Sequence, residues 1–256
     1  MNNSPIDIDK LIEGTNEILT ANRNSLQLFD MLHSMRQFDD LTYVHSVNVA
    51  LIASILGQWL KFSEKDIRIL TISGLLHDIG KIMIPNEILT KPGKLTVAEY
   101  NIMKQHVNFG YEKVKNQNID IRIKEACLLH HEKCDGTGYP FGLKSDHIPA
   151  VAKIIAIADV YDAMTSARVY RGALCPFEVI DTMYKDAFTK FEPEYILPFL
   201  KNVASSYINN DVRLSDGRIG KVVLINENAL SLPIVQCEDE FIDLSKTREL
   251  TVSAIL

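Results

Sequence analysis

The sequence predicts a mainly helical domain built around a buried metal centre, followed by a small C-terminal β-module. Three observations carry that reading. From about residue 36 to 205, apolar residues recur at helical spacing. Over the same stretch, histidines and aspartates arrive roughly one group per helix, about 24 to 32 residues apart. After about residue 210 the period shortens to the alternation of strands.

The whole chain sets the bounds. Its 256 residues, 46% hydrophobic and 23% charged, suit one large domain, or one domain with a small appendage. The net charge of -6 gives no support to polymeric nucleic acid as a partner. A small anionic ligand stays open, because local cations can outweigh the global field. Cys127, Cys134, Cys175 and Cys237 form no CxxC pair, which favours reduced thiols in a cytosol over disulfides. The opening MNNSPIDIDK is polar and acidic, without the basic and apolar regions of a signal peptide. The longest apolar stretch, Val44 to Leu60, carries His45, Ser46, Asn48 and Gln58, so it reads as a core helix and not a membrane span. The expected location is cytoplasmic.

The elements follow in order. Residues 1–35 place Leu11, Ile12, Ile18, Leu19, Leu28 and Leu32 at helical spacing, interrupted by Gly14 and the stretch around Asn22 and Asn24. They read as an N-terminal helical extension that either packs on the main domain or pairs two chains into a homodimer. A helix from Asp40 to Leu60 carries His45 and the stripe Val44, Val47, Leu51, Ile55. Ser63 caps the next helix, which has Asp66 in its first turn and runs toward His77. Thr96 and Glu99 form a capping box that opens a helix leading to His106. Another helix runs from about Ile119 to His130 and His131, where Gly136, Gly138 and Pro140 enforce a loop. Pro149 opens a helix containing Asp159, and Pro176 and Pro193 sit at first-turn positions of two more. In the tail, VRLSDGRIGKVVLIN alternates around a Ser-Asp-Gly turn, and PIVQC, EFIDL and ELTVSAIL follow as short strands. This module, residues 210–256, is small enough to need the helical domain to cover its core.

The chemistry lies in the polar groups on those helices. They are His45, His77 and Asp78 in LLHDIGK, His106, His130 and His131 in HHEKCDGTGYP, and Asp159 in IIAIADVYDA. Imidazoles with carboxylates suit Fe, Mn or Zn. Seven such groups are too many for one four-coordinate zinc with an open position. They suit two six-coordinate ions sharing a carboxylate, and so metal-assisted hydrolysis. A lone His-Asp pair is weak evidence; in the company of the other groups it is strong. Burying two adjacent histidines without partners costs about 1–3 kcal/mol each, a cost that metal ligation offsets. Glu132 and Asp135 are the expected acceptors for the histidine N–H groups. Asp159 stands among Ile154, Ile155, Ile157 and Ala158, where a carboxylate wants a cation, and Asp162 shares its face. Ile79 and Gly80 end a helix and release Lys81 toward the pocket. Tyr139 suits stacking or a phosphate contact, with ordinary loop packing as the alternative. Arg168 and Arg171 suit phosphate or guanine edges, with surface ion pairing as the alternative. His33 and His147 match no motif and read as surface or packing residues.

On these motifs, residues 36–205 resemble the HD-GYP family, the branch of the HD phosphohydrolase superfamily associated with cyclic di-GMP. The resemblance rests on HDIGK, the step from His106 to Gly110, HHEKCDGTGYP and IADVYDAMTSARVYR. It implies a helical HD-type bundle and hydrolysis of cyclic di-GMP to linear pGpG, in some members onward to GMP. It implies His45, His77, Asp78, His106, His130, His131 and Asp159 as ligands of two divalent ions, iron or alternatively manganese, bridged by Asp78. It further implies Asp78 and Lys81 as catalytic, and Lys81, Tyr139, Asp162, Arg168 and Arg171 as substrate-facing. Leu41 stands where three-metal members resemble one another in carrying a glutamate, which implies the two-metal form and pGpG as the main product. Two alternatives stay open: an HD phosphohydrolase for another cyclic dinucleotide such as cyclic GMP-AMP, and a catalytically silent cyclic di-GMP receptor.

Overall fold

The computed structural model describes residues 41–166, 174–247 and 249–256. The N-terminal extension, His33, Arg168 and Arg171 lie outside the described residues.

Helix α1, Leu41–Trp59, buries the expected Val47, Leu51 and Ile55. Helix α2, Glu64–Leu76, starts at Ser63, whose hydroxyl accepts the Asp66 N–H as predicted. It packs along α1 and delivers His77 at its C-terminal end. A tight 3-10 turn, Ile79–Met83, follows, then a short helix α3, Asn86–Leu89. Thr96 and Glu99 form the predicted capping box and open α4, Val97–Met103.

The single helix expected to run on to His106 is two helices. Lys104 and Gln105 interrupt it, and α5, His106–Val114, follows. The physical reason is burial. Helix α4 buries none of its side chains, whereas His106, Val107, Gly110 and Val114 all face the interior. The 3-10 turn pins α5 in place. A Cβ on Gly80 would lie 1.9 Å from the His106 carbonyl oxygen and 2.4 Å from the Gly110 nitrogen, so only glycine lets these backbones meet.

Helix α6, Ile121–Leu129, begins at Asp120, whose carboxylate accepts the Arg122 N–H, two residues later than the expected start at Ile119. Pro149 stands just ahead of α7, Ala150–Thr165. Pro176 and Pro193 open α8, Pro176–Asp186, and α9, Pro193–Ser206, as expected. The helices close on one apolar core. Its largest members include Phe199, which lies 5.1 Å edge-on from Tyr161 and 6.2 Å from Trp59 between ring centroids. All four cysteines are free, and among the described residues no helix is long and apolar enough to cross a membrane.

The tail forms one antiparallel sheet from β1, Asp211–Leu214, β2, Ile219–Asn226, β3, Ala229–Cys237, β4, Glu240–Asp243, and β5, Val252–Ile255. The strand order is β4-β3-β2-β1-β5, and Val212 pairs with Gly220 across the Ser-Asp-Gly turn. Its buried face, including Val212, Val222 and Val235, joins the same core as Phe177, Ile180 and Val203 of α8 and α9. The sheet therefore completes its core on the helices, as its small size required. Replacing Phe199 with Ala should cost about 3–5 kcal/mol in urea unfolding followed by Trp59 fluorescence. An unchanged midpoint would show that this core does not hold the helices together.

Candidate metal centre

All seven side chains read from sequence as ligands converge between α1, α2, α5, α6 and α7, in two sets. Asp78, His106, His130 and His131 form one, and His45, His77 and Asp159 the other, with the potential ligand atoms of each set within 4.8 Å of one another. Asp78 reaches both. Its Oδ1 lies 3.3 Å from His106 Nε2 and 3.9 Å from His130 Nε2, while its Oδ2 lies 3.3 Å from His77 Nε2 and 3.5 Å from His45 Nε2. Asp159 Oδ1 stands 3.1 Å from His45 Nε2, and its Oδ2 is 3.8 Å from His131 Nδ1.

The outer ring nitrogens explain why the inner ones need a cation. His77 Nδ1 meets the Gly74 carbonyl at 2.7 Å, His106 Nδ1 the Met103 carbonyl at 2.8 Å, and His130 Nδ1 the Ala126 carbonyl at 2.9 Å. A carbonyl only accepts, so each Nδ1 donates, and each Nε2 points inward. The lone pairs of His106 and His130 then face one another at 3.3 Å. His77 Nε2 faces a carboxylate oxygen of Asp78 at 3.3 Å. His45 Nε2, His77 Nε2 and Asp78 Oδ1 are buried without a hydrogen-bond partner. Acceptors crowded against acceptors in a buried cavity repel, and divalent cations are what such a donor set accommodates.

Protonation follows the same pattern. Burial pushes His130 well below the usual imidazole range, helped by the neighbouring imidazoles of His131 and His77. Burial also lowers His106, and takes His131 down to about 3. Burial would raise Asp78 and Asp159, but Lys81 and His77 beside the first, and His45 beside the second, hold both well below the carboxylate range. Neutral imidazoles and ionised carboxylates are the forms that ligate. His45 differs. Burial opposes its charge, yet the neighbouring carboxylates of Asp159 and Asp162 raise it to about 9. A cation bound at His45 would displace that proton.

Around the cluster the sequence expectations fare unevenly. Lys81 leaves the 3-10 turn and pairs with Asp78 Oδ2, with its ammonium partly exposed. Tyr139 stacks on His131, with centroids 4.7 Å apart and planes at 27°. His147 is exposed and takes no part. Asp162, expected to face substrate, sits inside the protein. It is buried behind His45, and its carboxylate is occupied by His45 Nδ1 at 2.7 Å, Asn48 Nδ2 at 2.9 Å and Ser166 Oγ at 3.0 Å.

Glu132 and Asp135 do not receive histidine protons either, because backbone carbonyls supply that service. Glu132 instead pins the loop after α6, accepting the Phe141 N–H at 2.7 Å and the Leu143 N–H at 2.9 Å. Asp135 accepts from the Thr137 N–H and hydroxyl. Within this loop the Tyr139 N–H donates to the His131 carbonyl at 3.1 Å. A Cβ on Gly138 would come within 2.5 Å of that oxygen and of the Glu132 Cα, so the glycine is what lets the tyrosine fold back over the histidine. Asn48 escaped notice in the sequence, although its spacing of three from His45 put both on one helix face.

Comparison with known proteins decides the family. The HD domain family model matches residues 13–195. The chain belongs to the HD domain family, in its HD-GYP branch. This HD-GYP chain is 36% identical over 203 residues to cyclic di-GMP phosphodiesterase PA4108 of Pseudomonas aeruginosa, covering 79% of this chain and 49% of that protein. It is 32% identical over 194 residues to 3'3'-cGAMP-specific phosphodiesterase 2 of Vibrio cholerae, covering 74% of this chain and 37% of that protein. The chain thus spans about half or less of the length of these curated relatives. Its fold is shared with Bd1817, an HDG"Y"P protein from Bdellovibrio bacteriovorus, at a TM-score of 0.59 and 21% identity over 75% of this chain and 60% of that one.

Replacing Glu132 with Ala strands the Phe141 and Leu143 amides, and should cost about 1–3 kcal/mol while accelerating hydrogen exchange at both. Unchanged protection at those two amides would show that Glu132 does not hold the loop.

Proposed function

We propose that this HD-GYP domain is a metal-dependent phosphodiesterase that hydrolyses cyclic di-GMP mainly to linear pGpG. The observation that carries the reading is the convergence of inward lone pairs and ionised carboxylates into two adjoining sets, with one carboxylate oxygen of Asp78 turned to each. The curated relatives named as cyclic dinucleotide phosphodiesterases support it.

His45, His77 and Asp159 would hold one divalent ion and His106, His130 and His131 a second, with Asp78 between them. Histidine and carboxylate ligands without thiolate suit iron, manganese or zinc, and the resemblance to the HD-GYP family puts iron first with manganese as the alternative. When bound, such a pair supplies an activated water and neutralises phosphate charge. The chain's own groups do the rest. The buried carbonyls of Gly74, Met103 and Ala126 fix the imidazole orientations before substrate arrives. Lys81, held beside Asp78 and partly open to solvent, places a positive charge where a phosphoryl or leaving oxygen gains negative charge. Tyr139, stacked on His131, would supply an aromatic ring for the substrate beside the His106 set. Arg168 and Arg171 complete the proposed phosphate and guanine contacts.

A second reading has a specific observation behind it, since a relative at 32% identity is named as specific for 3'3'-cGAMP. Parallel turnover of cyclic di-GMP and cyclic GMP-AMP separates the two substrates.

Asp78→Ala should abolish metal loading and turnover together, measured by metal analysis and by chromatography of the products. Hydrolysis by this variant at the wild-type rate would overturn the assignment. For the wild type loaded anaerobically with Fe(II) or Mn(II), pGpG should accumulate as the main product. Rapid, complete conversion to GMP would contradict the two-ion form, and cyclic di-GMP binding without any product would mark a receptor.

A further inference from the structure

We infer that Asp162 is a positioning residue for His45, and that it makes the ion site of His45, His77 and Asp159 the tighter of the two; this rests on the metal-dependent reading above. Three of the converging imidazoles are backed by neutral backbone carbonyls of their own helical turns, those of Gly74, Met103 and Ala126. Among these converging histidines, His45 is the one whose Nδ1 lies within hydrogen-bond distance of a carboxylate, 2.7 Å from Asp162 Oδ2. A carboxylate behind an imidazole fixes its tautomer, locks its ring and makes the inner nitrogen a stronger donor than a carbonyl does.

The surroundings of Asp162 suit that task. It is 2% exposed, and among the described residues no lysine or arginine pairs with it, so its charge falls on His45. Its other oxygen takes Asn48 Nδ2 at 2.9 Å and Ser166 Oγ at 3.0 Å, which stops the carboxylate from turning away. Asn48 sits one turn along α1 from His45, and Ser166 directly follows α7. Asp162 therefore ties the helix of His45 to the helix of Asp159, two of the three ligands of that set. The inner nitrogen it leaves free, His45 Nε2, is buried without a hydrogen-bond partner and 3.1 Å from Asp159 Oδ1. The other set has no counterpart. His106 and His130 rest on carbonyls, and the carboxylate near His131 is Asp159, itself a member of the opposite set.

The test is metal retention, read independently of turnover. Wild-type protein, Asp162→Asn, Asp162→Glu and His106→Ala are loaded anaerobically with Mn(II), dialysed against a weak chelator and assayed for bound metal. The wild type should keep two ions. Asp162→Asn should keep one, with the lost site about 10–100-fold weaker, and Asp162→Glu should recover part of the loss. The ion remaining in Asp162→Asn should be the one held by the His106 set, so adding His106→Ala should leave none. Zinc-loaded wild type should show a hydrogen-bonded, exchange-protected Nδ1 proton on His45 by NMR, a readout that needs no variant to fold. Asp162→Asn retaining both ions at unchanged affinity, or a His45 without that proton, overturns the role of Asp162 while leaving the metal centre standing. A wild type that retains no ion overturns the functional reading and this inference together.

Discussion

Like-natured atoms brought face to face in a dry interior are the constraint on which this structure turns. Carbonyls commit His77, His106 and His130 to protons on their outer nitrogens, so their inner nitrogens crowd together, and the lone pairs of His106 and His130 meet at 3.3 Å beside the oxygens of Asp78. Burial alone would drive the acids to protonate, yet Lys81 and the imidazoles keep Asp78 and Asp159 ionised. A fold tolerates that crowding only when positive charge can enter it. The helices are arranged to make it happen: α2 ends at His77, α5 begins at His106 and α6 ends at His130.

Holding those helix ends together depends on features outside the ligand set. The bare Gly80 lets the 3-10 turn touch the first turn of α5, which sets Asp78 beside His106. On the opposite side, one buried glutamate closes the loop after α6 and brings Tyr139 onto His131. The result is a centre with two unlike halves: Tyr139 folds back over His131 in one, and the Asp162 network backs His45 in the other.

Much of this was readable from the residues because it is local. Ser63 with Asp66, and Thr96 with Glu99, announce helix starts through contacts three residues long, and both are present. The ligand helices were readable too, since each brings one polar group into an otherwise apolar stripe. What escaped depends on tertiary approach. Nothing near Lys104 signals a break; the break exists because α4 lies on the surface while His106 must be buried against Gly80. Glu132 looked like a partner for the neighbouring histidine, but its acceptors' donors come from nine and eleven residues onward, across a loop whose path the sequence does not specify. Asp162 was correctly placed on the face of Asp159. Its direction, toward α1, was set by Asn48 and His45 more than a hundred residues earlier.

Anomalous diffraction at the manganese edge, on crystals of protein loaded anaerobically with Mn(II), examines the centre most directly. Two peaks are predicted, one among His45, His77 and Asp159 and the other among His106, His130 and His131, with Asp78 between them. A single peak, or a map featureless at those side chains, would contradict the account.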